Sequence, residues 1–154
     1  MSKHSQLARQ NFINGMNCAQ SVFCAFDDVH GFDADTAYRI SSSFGGGIGR
    51  LREVCGALSG ALMVMGMLEG GYPVSDGEAK AAHYKMIQEF AEKFRQEAGS
   101  IKCWQILGLP EGPSEPVPEY HTPEYLERRP CPRCVETAAR ILDEFLEAHG
   151  YSEA

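Results

Sequence analysis

Six cysteines carry the chemistry this chain could do: Cys18, Cys24, Cys55, Cys103, Cys131 and Cys134. Thiols that a fold does not need as staples serve metal ligation or redox chemistry more often than structural disulfides. Cys131 and Cys134 form the sharpest local motif, CPRC. CxxC spacing is common to dithiol oxidoreductases, zinc sites and iron–sulfur sites, and alone does not choose among them. A thioredoxin-like reading needs a βαβ context, which the sequence lacks. A zinc knuckle needs a second close Cys or His pair, and His121 is the only histidine nearby, a lone loop residue of the kind that is ordinarily solvated. Further ligands would have to come from Cys18, Cys55 and Cys103, far away in the chain. Such thiolates could hold an iron–sulfur cluster or form a redox-switchable disulfide.

Local context sorts the thiols. Pro132 suits a first helical position, which puts Cys131 near the N-cap and Cys134 in the first turn. The helix dipole and Arg128, Arg129 and Arg133 then predict lowered thiol pKa values. Cys55 opens a helix after the turn FGGGIGR, where free N–H groups, Arg50 and Arg52 favour a thiolate; the plain alternative is a small residue at a tight helix crossing. Cys18 and Cys24, six residues apart, would point about 240° from one another on a continuous helix. Cys24, among Val22, Phe23, Ala25 and Phe26, reads as a small buried hydrophobe. Gly46, Gly47 and Gly56 are the candidate glycines for close backbone approach to a cofactor at Cys55. The turn itself lacks the third glycine of GxGxxG, which Arg50 replaces, and the Lys and Ser/Thr of a P-loop, so it is not a nucleotide cradle. Trp104 beside Cys103 reads as a core aromatic or a shield over the thiol. His30 and His149 fall at helix ends, His83 lies on the Ala79 to Phe94 helix as a boundary or solvated residue, and no paired carboxylates or Ser/His/Asp set stands out.

The elements that must position these residues read as all-α: a single-domain helical bundle over residues 1–154, with about five to six helices and a Pro-rich loop before the last. Residues 5–29 contain no proline and allow a break at Gly15 and Asn17. Asp33 or Asp35 can cap a short helix to about Ser42. A small-surfaced helix follows from about Glu53, open to close approach by a neighbour or a cofactor. Ser75 and Glu78 form a capping box for a helix with apolar Ala79, Ala82, Met86, Ile87, Phe90, Ala91 and Phe94. Six of the eight prolines fall in 109–130, where no regular helix is expected. A last helix runs from about Pro132 to Ala148. The apolar run Gly56 to Leu68 is too short for a membrane span of roughly 20 residues. A net charge of −7 disfavours nucleic acid and anionic membrane. The first residues do not read as a secretory signal, so a cytoplasmic location is expected.

Four cysteine-centred segments, Asn17-Cys18-Ala19-Gln20, Phe44 to Arg50 leading to Cys55-Gly56-Ala57, Cys103-Trp104-Gln105-Ile106-Leu107-Gly108, and a late Cys ahead of Val135, resemble the C_GCAxxG_C_C family of redox-active proteins, in order and over nearly the whole chain. The middle motif reads Cys55-Gly56-Ala57 where the family name spells Gly-Cys-Ala. The resemblance implies a small helical protein whose four spaced cysteines are redox-active or cluster-binding: Cys18, Cys55, Cys103 and one of Cys131 and Cys134, with Cys134 favoured as the metal ligand. The expected function is redox activity with an iron–sulfur cluster, for electron transfer or sensing. The alternatives are metal-free thiol–disulfide chemistry and a structural zinc or interaction protein. An unidentified redox partner follows from either redox reading, and the composition permits a homodimer.

Overall fold

The computed structural model describes residues 2–151, so the expected domain 1–154 extends past the described residues at both ends. The first long segment divides as its sequence allows. α1 (Lys3–Ile13) is capped by the Ser2 side chain and ends before Gly15. α2 (Cys18–Phe23) starts at a capping box in which Asn17 and Gln20 satisfy each other's backbone N–H. A 3-10 turn and α3 (Asp27–His30) continue it to Gly31. Asp33 caps α4 (Ala34–Ser41). The glycine turn contains one irregular helical turn, α5 (Gly45–Ile48).

α6 (Gly56–Glu69) begins behind its N-cap residue Cys55, three residues later than the expected Glu53. α7 (Gly77–Ala98) is capped by Asp76, whose carboxylate accepts from the Ala79 N–H at 3.0 Å; the expected Ser75 capping box does not form. α8 (Cys103–Leu107) is short. The Pro-rich segment holds a helix after all. Thr122 caps α9 (Pro123–Arg128), because a proline in the first turn lacks only an N–H that has no helical partner there. α10 (Cys131–Ala148) closes the fold. The helical segments outnumber the five to six expected because α1 and α2 are separate and short turns at α3, α5 and α9 add to them, while the all-α class holds.

The core forms where α2 packs on α6 and α1 on α10. Phe12, Phe23, Phe26 and Phe94 are fully buried there, each contributing roughly 1.5–3 kcal/mol of transfer free energy. The small surface of α6 faces α2: a Cβ on Gly60 would stand 2.7 Å from the Ala19 carbonyl oxygen. Of the expected α7 face, Phe90 and Phe94 are buried, Met86, Ile87 and Ala91 pack partly buried against the core, and Ala82 is exposed. Trp104 is half-buried and outside the core cluster, so it is not a core aromatic. His121 is half-buried and partnered rather than simply solvated: its Nδ1 donates to the Phe12 carbonyl at 2.6 Å and its ring stacks on Phe12 and Tyr125, 4.2 and 4.8 Å from their centroids. No helix among the described residues is long and apolar enough to cross a membrane.

Candidate functional site: a pocket of converging cysteines

Each thiol reaches the site through a local device. The Asn17 capping box sets Cys18 at the first position of α2, and the Asn17 side chain also donates to the Ser42 carbonyl at 3.0 Å, tying that end to the glycine turn. The stretch Arg52 to Cys55 runs antiparallel to Ile101 to Trp104 around a single bridge, Val54 to Lys102. Backbone bonds Cys55 N–H to Ile101 O (2.8 Å) and Cys103 N–H to Glu53 O (2.6 Å) hold Cys55 and Cys103 side by side. Gly47 closes this arrangement. Its φ is +66°, and a Cβ there would lie 2.7 Å from both Cys103 Cβ and the Glu53 nitrogen, so no other residue fits. The start of α10 brings Cys131 and Cys134 from the opposite side.

The result is one small cavity of about 20 Å³ lined by Cys18, Cys55, Cys103, Cys131 and Cys134 with Gly56, Ile106 and Leu107. Both members of CPRC reach it. Cys24 does not; it is buried near Ser41 and Asp27, as its apolar neighbours predict. All six cysteines are free thiols. Among the candidate glycines, Gly46 and Gly56 donate backbone N–H groups to the Cys18 sulfur, and Gly47 packs on Cys103. A Cβ on Gly56 would stand 2.5 Å from the Cys18 Sγ, so α6 needs its glycine there for the thiol to fit. The Pro-rich segment does not line the cavity. It is bound instead to the glycine turn, through Arg50 Nε donating to the Glu115 carbonyl (2.6 Å) and the Ser114 N–H donating to the Arg50 carbonyl (3.0 Å).

The electrostatics reverse part of the expectation. Burial first, and then the neighbouring sulfurs of Cys18, Cys55 and Cys103, push the Cys131 thiol up to about 12. Burial likewise pushes Cys18 up to about 12, against the pull of the Gly46 and Gly56 N–H groups. Cys55 is raised well above its ordinary value, chiefly because its thiol hydrogen-bonds to Cys134, and then by burial; the Ala57 and Leu58 N–H groups at the helix start pull it down without prevailing. The dipole argument for thiolates at Cys55 and Cys131 therefore fails: contact with Cys134 at Cys55, and desolvation at Cys131, outweigh the pull of the helix end. Cys103 is raised by burial and drawn back by Arg52, whose Nη1 donates to its Sγ at 3.5 Å.

Five thiols in an apolar enclosure, with backbone N–H donors and a guanidinium directed at the sulfurs, fit thiolate ligation of a soft metal or cluster in kind. As the side chains stand, the free thiols close on one another, and no group of three or more His, Cys, Asp or Glu among the described residues is set to hold a metal ion. A space of about 20 Å³ admits little more than one water-sized probe, so any larger occupant requires the thiols to part.

Arg52, Asn17 and Gln20 are positioning residues that the cysteine pattern alone does not reveal, although Asn17 and Gln20 leave a capping signature on either side of Cys18. No curated protein and no solved structure gives a significant match to this chain. Residues 16–145, the span from the start of α2 to near the end of α10 that carries all five converging thiols, match the family described as Putative redox-active protein (C_GCAxxG_C_C), and the chain belongs to that family.

Proposed function

We propose that this protein is a redox protein whose converging thiolates hold an iron–sulfur cluster for electron transfer or redox sensing. The observation that carries the reading is the meeting of five cysteines from four separate stretches of chain in one apolar cavity. A cluster takes about four cysteine ligands. Cys18, Cys55, Cys103 and Cys134 are the ligand set of choice, with Cys131 within reach as an alternate. The cluster would supply one-electron exchange with a partner carrier. The chain's own residues exclude water through Ile106 and Leu107 and direct N–H groups at the sulfurs. Bringing a cationic centre to the buried thiols offsets the burial that otherwise keeps them protonated. A cytoplasmic setting agrees with six free thiols.

A second reading, metal-free dithiol chemistry, is favoured by the closeness of Cys55 and Cys134 in the cavity, where Cys134 is the chief cause that raises the Cys55 thiol. Oxidation of that pair would form one S–S bond and release two electrons and two protons to a disulfide or other two-electron acceptor. Anaerobic purification, with visible absorption and iron, sulfide and zinc measured on one sample, separates these outcomes. Stoichiometric iron and sulfide with a reducible chromophore is expected. Zinc alone would replace the reading with a structural site, and no metal would leave the dithiol reading in its place.

A further inference from the structure

Arg52 is 5 % exposed, yet no carboxylate among the described residues pairs with it. Its guanidinium donates to Ser114 Oγ through Nε (2.8 Å) and to Cys103 Sγ through Nη1 (3.5 Å). A buried cation without an anion is among the costliest arrangements a core can hold. The backbone that delivers it is costly too. Ile48, Arg50 and Arg52 have φ of 68°, 67° and 63°, a left-handed region that residues with a Cβ rarely adopt, and they fall within one short turn. An arginine serving only to tie the Pro-rich segment down could do so from the surface, as Arg50 does. Both costs are met at a side chain whose guanidinium donates directly to a sulfur of the cavity.

We infer that Arg52 is the built-in counter-charge of the cysteine site, a positioning residue held by Ser114 whose cation facing Cys103 offsets the negative charge that reduction adds and thereby sets the reduction potential. The inference rests on the cluster reading above. Reduction of the ligated site adds one electron from an external carrier, with no bond made or broken, and a fixed positive charge favours the reduced form. Lysine keeps the charge but not the fork; glutamine keeps a hydrogen-bond donor without the charge.

The test is an anaerobic redox titration of reconstituted wild type, Arg52→Lys and Arg52→Gln, followed by visible absorption, with iron and sulfide measured on each. The expected result is equal iron and sulfide in all three, a midpoint potential lower in Arg52→Gln, and a value near wild type in Arg52→Lys. An unchanged potential in Arg52→Gln, or an equal shift in both variants, would overturn the inference and leave the cluster reading standing. Wild-type protein that takes up no iron and sulfide would overturn both, and that is seen before any variant is compared. If Arg52→Gln does not fold, Ser114→Ala frees the guanidinium without removing it: a smaller shift in the same direction supports the inference, and no shift overturns it.

Discussion

At Cys24 the thiol is shut among apolar neighbours and near Asp27, and burial, then that carboxylate, push it up to about 11. At Cys103 a sulfur at much the same depth faces a guanidinium and four other thiols. Burial alone therefore does not separate Cys24 from the converging thiols; the surroundings do. Cys24→Ala should cost about 1 kcal/mol in urea unfolding and leave iron, sulfide and redox response at wild-type levels. Cys103→Ala should fold and lose the redox response. The division between Cys24 and the rest was legible in the sequence, because Val22, Phe23, Ala25 and Phe26 announce a core position. The raised pKa values of Cys55 and Cys131 were not, since the helix dipole is visible in a sequence, while the neighbouring Cys134 thiol and the burial that override it are not.

The helices carry two further devices. His4 of α1 shares hydrogen bonds with Asp143 of α10 (2.7 Å) and Asp28 of α3 (3.0 Å), with its ring stacked on Phe26 at 4.1 Å. Burial alone would lower its pKa; the hydrogen bonds and charges of Asp143 and Asp28 together hold it above the usual histidine value. The folded state therefore binds this proton more tightly than the unfolded state. The clamp contributes in full below about pH 6.5 and is lost as the pH rises through the folded-state value. Urea midpoints measured from about pH 5 to 9 should fall across that window in wild type relative to His4→Gln, which should be about 2 kcal/mol less stable at the acidic end. A constant difference between the two proteins would rule the clamp out. The second device is the α2–α6 crossing, where Gly60→Ala should cost about 1–3 kcal/mol because its Cβ would meet backbone rather than a movable side chain. Helix existence was legible from periodicity and capping residues. Helix starts were less so: Asp76 outcompeted Ser75 as a cap, and Pro123 looked like a breaker when counted with its neighbours but acts as a starter behind Thr122.

Across the whole molecule, the Pro-rich stretch lies over the arginine side of the site and is pinned at its far end by His121 against Phe12 and Tyr125. His121→Ala should lower stability by about 1–2 kcal/mol, from one hydrogen bond and two ring contacts, and speed proteolytic cleavage within 109–122; an unchanged cleavage rate would show the pin to be idle. Convergence of the thiols belongs to this scale, and no local pattern encodes it. Cys55 and Cys103 meet because Val54 pairs with Lys102, and Cys134 joins them because α10 returns along α1 and α2. The order of the cysteine-centred segments pointed to a shared site without showing which member of CPRC reaches it; in the fold both line the cavity. The most direct test of that convergence is a peptide map of disulfides in metal-free protein after mild oxidation. The account predicts links confined to Cys18, Cys55, Cys103, Cys131 and Cys134, led by Cys55 with Cys134, and a Cys24 that stays reduced. Links to Cys24, or none among the five, would contradict it.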